Sequence, residues 1–227
     1  MRLAFFVFLL GGLLLQGCAS VSVHPESATA HQSQAQAPQK IIVSNFSFEG
    51  AKVNADREGE EMSAFQKQVA DDLSKALCKS IGKLGLPAEK GGIDRNASTP
   101  QPAWLVQGRF LRINQGSRAM RVFFGCGAGG TKMETAVEVY DLSVSDTVPA
   151  FTFTTTGGSG ATPGALINPN AIGVGLAATG RIAQGVSDDS KRTARMISAY
   201  LSQMLVEHGY LSPDKAKKAK IHESATT

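Results

Sequence analysis

The 227-residue sequence predicts a single α/β domain of the α+β type, with elements in the order β-α-β-β-β-α. Two observations carry this. Four segments alternate apolar and polar residues at a period of two, and two longer ones place apolar residues three and four positions apart. Two helices cover only one face of a sheet, so the simplest architecture is a mixed four-stranded sheet with both helices on one side.

The chain opens Met1-Arg2, runs through apolar residues from Leu3 to Leu15, and then reads Leu15-Gln16-Gly17-Cys18. The apolar run is shorter than the ~20 residues a spanning helix needs, and a polar stretch follows at once. Residues 1–17 therefore read as a signal peptide. Leu15, Gln16, Gly17 and Cys18 together are similar to the bacterial lipobox, which implies cleavage before Cys18 and lipidation of its sulfur. An ordinary secreted protein with a cysteine near the cut is the plainer alternative. Ala19 and Ser20 follow; the resemblance to lipoproteins without an acidic residue there implies the periplasmic face of the outer membrane. Residues 18–39, rich in Ser, Ala and Gln and without an aromatic, bury little and read as a lipidated cysteine on a flexible tether.

Ordered structure is expected from residue 40, in a domain spanning 40–210. Ile41 and Val43 alternate with Ile42, Ser44 and Phe46 over Lys40–Phe48, a strand. Phe65, Val69, Leu73, Ala76, Leu77 and Leu84 form one stripe over Ser63–Leu84, an amphipathic helix stopped by Gly85 and Pro87. A second strand covers Ala103–Asn114, with Leu105, Leu111 and Ile113 alternating with Trp104, Val106 and Phe110. Lys132–Leu142 is a third, with Met133, Thr135, Val137 and Val139 on its buried side, and Val148–Thr156 a fourth. Residues 157–187 form a Gly/Ala-rich insertion of mixed apolar and small residues. Asp188–His208 is the second helix, with Met196, Ile197, Tyr200, Leu201, Met204 and Leu205 on one side and Gly209 after it.

Lys and Arg number 23 against 19 Asp and Glu, and Lys215, Lys217, Lys218 and Lys220 hold most of the surplus. A short terminal cluster of this kind reads as a solvated, disordered tail over residues 211–227, so no nucleic-acid partner is expected. Cys78 and Cys126 are candidates for a disulfide in an oxidising compartment, with two buried thiols as the competing reading. Gly125-Cys126-Gly127-Ala128-Gly129-Gly130 has the letters of a dinucleotide fingerprint. It precedes a strand, whereas that fingerprint needs a helix N-terminus, so no nucleotide and no cofactor are expected. His208 is placed to complement a helix dipole. No nucleophile–histidine set and no metal-spaced cluster stands out.

Gly108-Arg109-Phe110, Gly116-Ser117-Arg118-Ala119-Met120-Arg121, Gly127-Ala128-Gly129 and Val139-Tyr140-Asp141 together resemble a family of bacterial envelope proteins, frequently lipoproteins, known only as a domain of unknown function. The similarity runs from Ile41 to Tyr210. Cys126 departs from the apolar or aromatic residue often found there, and the resemblance implies no reaction and no catalytic residues. More distantly, the element order is similar to that of outer-membrane lipoproteins that serve as accessory factors. The expectation is a non-catalytic binding or assembly module held to the membrane through lipid on Cys18, its partner another envelope protein or a second copy. Arg118 and Arg121 are its candidate partner contacts. An envelope hydrolase working with carboxylates alone is the alternative.

Overall fold

In the computed structural model the described residues are 20–28, 36–92, 102–116, 131–158 and 174–222, with the side chains of 20 and 174–185 outside the description. The elements are β1 (Ser20–Ala28), β2 (Lys40–Val43), β3 (Lys52–Asn54), α1 (Gly59–Gly82), β4 (Ala88–Lys90), β5 (Ala103–Asn114), β6 (Lys132–Asp141), β7 (Phe151–Gly158) and α2 (Val174–Glu207). One mixed sheet of seven strands runs β1-β7-β6-β5-β2-β4, with β3 also on β5. The α+β class stands; the four-stranded count does not.

Three strands make up the difference. β3 and β4 have three residues each, too few for alternation to register. β1 lies inside the expected tether, which corrects the reading of residues 18–39 as coil. Its Val21 and Val23 point inward and are buried, while Ser22, His24 and Glu26 face outward. It pairs antiparallel with β7 and shifts register between Pro25 and Ser27. Proline is tolerated there because β1 is an edge strand with a bulge.

The long strands carry the core. Met133, Thr135, Val137 and Val139 of β6 are buried on one side, as their alternation predicts. On β5 a bulge between Phe110 and Arg112 inserts one residue, so Ile113 returns to the face of Trp104, Val106 and Phe110 instead of joining Leu105. That face meets both helices: Phe65, Val69, Leu73, Leu77 and Ile81 from α1, and Ile197, Leu201 and Leu205 from α2, share one apolar cluster with it. Among the described residues, the opposite face holds a small cluster of Ile42, Ala103, Leu105 and Tyr140.

Gly108 occupies the core face of β5. A Cβ there would land against the carbonyl oxygen of Ala136 and 2.7 Å from Cε1 of Phe46. Gly108→Ala is expected to lower stability by about 1–3 kcal/mol, as overpacking does, read from the urea midpoint at unchanged slope.

Both helices begin earlier than the periodicity suggests. α1 starts at Gly59, with Glu60 and Glu61 in the first turn where the macrodipole favours them. α2 starts at Val174, inside the Gly/Ala-rich insertion, and runs for 34 residues. Glycine costs a helix about 1 kcal/mol per residue, so Gly175, Gly180 and Gly185 mask the helical character of the alanines between them. At its other end, Gly209 takes φ +73°. The Gly209 N–H donates to the Val206 carbonyl (2.9 Å) and the Tyr210 N–H to the Leu205 carbonyl (2.7 Å), a Schellman closure.

The expected disordered tail is in part docked. A 3₁₀ turn at Pro213–Lys215 leads to Ala219, which is buried, and to a parallel bridge between Ile221 and Val23. The Val23 N–H donates to the Lys220 carbonyl and the His222 N–H to the Val23 carbonyl, both at 2.8 Å, and the rings of His24 and His222 stack at 5.6 Å. Edge-strand β1 is thereby covered along its middle.

Candidate functional site

One end of the sheet aligns the termini of five strands. Register sets Ser20 of β1 opposite Gly158 of β7, Gly158 opposite Lys132 of β6, Lys132 opposite Asn114 of β5, and Asn114 opposite Asn54 of β3. Five strand termini thus form a row about 19 Å wide at the usual spacing. Residues 117–130, which contain Arg118, Arg121 and Cys126, start and finish at this row, and residues 159–173 leave from it. Those segments lie outside the described residues, as do Leu15, Gln16, Gly17 and Cys18.

Beneath the row sits a polar cluster that no motif announced. Asp189 on α2 is 2% exposed. It accepts a short hydrogen bond from the Thr131 hydroxyl and an ion pair from Arg192 Nη1 at 2.8 Å. Ser190 and Thr193 are fully buried beside it in the sequence. A signal for the cluster existed: carrying the stripe of Leu201 and Ile197 back in steps of four reaches Thr193 and then Asp189. The polar identity of those positions hid it.

Burial pushes the Asp189 carboxyl above its ordinary value of 3.8, against the opposing pull of Thr131 and Arg192. The folded state therefore holds this proton more tightly than the unfolded chain. Its contribution to stability is favourable below pH 3.8 and falls as pH rises through the folded value. Asp189→Asn is expected to flatten that fall, measured as urea midpoints from pH 4 upward. An unchanged slope would place the titration elsewhere.

Several other acidic groups are committed to neighbours. Glu134 pairs with Lys132 at 2.6 Å and with Arg112 at 3.6 Å. Glu138 accepts from the Tyr140 hydroxyl (2.7 Å) and Gln107 Nε2 (3.0 Å). Asp141 accepts from the Ser143 hydroxyl at 2.6 Å and its N–H at 3.0 Å. Asp71 holds both Lys75 and Lys90, which bring its carboxyl down to about 2. Among the described residues no group of three or more His, Cys, Asp and Glu is placed to hold a metal.

Cys78 lies half-buried on α1, where burial pushes its thiol up and keeps it protonated. His208 donates from Nδ1 to the Met204 carbonyl at 2.7 Å, satisfying a last-turn acceptor of α2. A shallow groove of about 270 Å³ between the helices is lined by Asp72, Lys75, Lys79, Ser187 and Lys191. Two of its ammonium groups are paired, Lys75 with Asp71 and Lys191 with Asp188. None of the described helices is long and apolar enough to cross a membrane.

Comparison with solved structures finds low similarity. The PelC dodecamer from Paraburkholderia phytofirmans aligns at 9% identity and a TM-score of 0.36, over 76% of this chain and 96% of that one. A point variant of the same dodecamer aligns at 13% and 0.35, over 74% and 96%. A putative neuraminyllactose-binding hemagglutinin homolog from Helicobacter pylori aligns at 10% and 0.39, over 82% and 97%. Scores of this size transfer neither assembly nor ligand. No curated protein matches the chain. A family model does match residues 41–176, from β2 through the first residues of α2 and well over half of the chain. The chain belongs to the family described as a domain of unknown function, DUF4410.

Proposed function

We infer that the protein is a lipoprotein of the bacterial envelope, acylated on Cys18, whose domain binds or assembles with another envelope component and catalyses nothing itself. The observation that carries the anchoring is the sequence Leu15-Gln16-Gly17-Cys18 behind a short apolar run. One acyl chain holds a protein with a partition constant of about 10⁴ M⁻¹, roughly 5.5 kcal/mol, so two or three hold it effectively permanently. The outer membrane, periplasmic side, is the address that Ala19 and Ser20 favour.

The non-catalytic half of the reading is supported by how the carboxylates are used. Asp71, Glu134, Glu138, Asp141 and Asp189 each close a local structural contact, so none of these five stands poised in a cleft as the acid or base of a hydrolase would. Asp189, the described carboxyl raised by burial, is shut inside the domain and bonded to Thr131 and Arg192.

Cross-linking of the full-length protein in cells tests the binding role. A reproducible adduct with one envelope protein, or with a second copy, is the expected result. Monomers alone, together with turnover of cell-wall fragments by the purified protein, would overturn it.

A further inference from the structure

We propose that His24 and His222 clasp a divalent late transition-metal ion, Cu²⁺ or Zn²⁺, between β1 and the C-terminal segment. The site needs no acyl anchor and so goes beyond the envelope reading above.

The two histidines are nearly two hundred residues apart in the sequence, so no ligand spacing announces them. Backbone pairing brings them together. Val23 and Ile221 are parallel bridge partners, which makes His24 and His222 the next pair along. The Val23 N–H donates to the Lys220 carbonyl and the His222 N–H to the Val23 carbonyl, both at 2.8 Å, so the backbone that carries both rings is fixed. His222 is exposed and His24 partly so, and an ion reaches them from solvent.

Their separation suits a shared ion. The ring centroids lie 5.6 Å apart with planes 21° from parallel. A ring nitrogen bonds zinc at about 2.0–2.1 Å, which puts the imidazole centroid about 3 Å from the metal and two such centroids on one tetrahedral ion about 5 Å apart. The ring torsion of histidine is broad and two-fold, so aiming both nitrogens at one point takes rotation of the rings and no movement of the backbone.

Ser22 orients the first ligand. Its Oγ donates to the Thr156 carbonyl at 3.3 Å and lies 3.4 Å from His24 Nε2. With its own proton committed to Thr156, the hydroxyl accepts from Nε2–H and leaves the Nδ1 lone pair of His24 for the metal. Metal-bound histidines are held in this way, the second nitrogen donating to a neighbouring acceptor. Lys220 and Glu26, each two residues from one of the histidines, bring one charge of each sign, so the imidazoles set the preference. Imidazole suits Cu²⁺ and Zn²⁺, whereas Mg²⁺ and Ca²⁺ take oxygen ligands. Water fills the remaining positions, and the ion acts as a clip that ties the tail to the edge of the sheet.

Titration of the purified full-length protein with Zn²⁺, and separately with Cu²⁺, tests this by calorimetry and by hydrogen exchange at the amides of Val23 and His222. One site is expected, tighter for Cu²⁺ and absent for Mg²⁺. An ion at about a hundred times its Kd slows exchange at those two amides by about a hundredfold. His24→Ala and His222→Ala are each expected to weaken the site by about a hundredfold or more, since the second ligand no longer acts at high effective concentration, and to remove the added protection. Ser22→Ala is expected to weaken it by about tenfold, as loss of an orienting partner does. All three side chains lie outside the apolar core, and an unchanged urea midpoint of the metal-free variants confirms that they fold. A site of equal affinity in the His24→Ala, His222→Ala double variant would show an adventitious ion only and overturn the clasp. So would binding without added protection at Val23 and His222, or no binding of either ion.

Discussion

Cys18→Ser is expected to abolish incorporation of labelled fatty acid into the protein. When residues 1–18 are exchanged for a plain secretory leader cut before Ala19, the mature protein is expected in the soluble periplasmic fraction. The magnitude follows from the chemistry of the anchor. A serine hydroxyl does not form the thioether, and each lost acyl chain removes a factor on the order of 10⁴ in partitioning. A lysine near an anionic surface adds only about 1 kcal/mol, which salt screens, so exposed lysines such as Lys218 and Lys220 do not replace the anchor. Fractionation at low and at physiological ionic strength separates the two contributions. Continued sedimentation with membranes at physiological salt would mean that another part of the chain holds it there.

Trp104→Ala is expected to destabilise the domain by about 3–5 kcal/mol, the usual range for emptying an aromatic core site. Trp104 is 1% exposed and sits where β5 meets the end of α2. Its ring makes edge-on contacts with Phe151 at 5.5 Å, His208 at 6.0 Å and Tyr210 at 6.2 Å. Those three come from β7 and from the Schellman closure of α2, so the indole ties the sheet to the C-terminal helix cap. Since whole domains are stable by about 5–15 kcal/mol, the loss would bring the variant close to unfolding at 37 °C. Trp104→Phe is the informative companion. The buried indole N–H has no hydrogen-bond partner among the described residues, and an unsatisfied buried donor itself costs about 1–3 kcal/mol. Phenylalanine removes that donor and keeps most of the apolar area, so a loss under about 1.5 kcal/mol is expected. Chemical denaturation of the three proteins side by side decides it; equal losses for Phe and Ala would show that the indole nitrogen matters.

The long elements were legible because their periodicity is dense. Met133, Thr135, Val137 and Val139 mark β6, and Phe65, Val69, Leu73 and Leu77 mark α1, each with enough repeats to fix face and period. Elements held by tertiary contacts were not. β1 offers only Val21 and Val23 among serines, a histidine and a proline, and becomes a strand because β7 and the C-terminal segment flank it. The tail reads as a solvated charge run, yet Ala219 and the backbone at Lys220 bind it to β1. On β5 one extra residue moved Ile113 to the other face, a shift that alternation alone does not reveal. Of the candidate site, the proposed anchor rests on the short linear motif Leu15-Gln16-Gly17-Cys18, which lies outside the described residues. The row of strand ends was not legible, because it exists only once the register of five strands is set.

Mass spectrometry of the N-terminal peptide from purified membranes tests the central claim most directly. The account predicts a chain beginning at Cys18, with diacylglycerol on its sulfur, and no free α-amino group if the third acyl chain is present. A mature chain that begins elsewhere, or a Cys18 whose thiol alkylates freely, would contradict it.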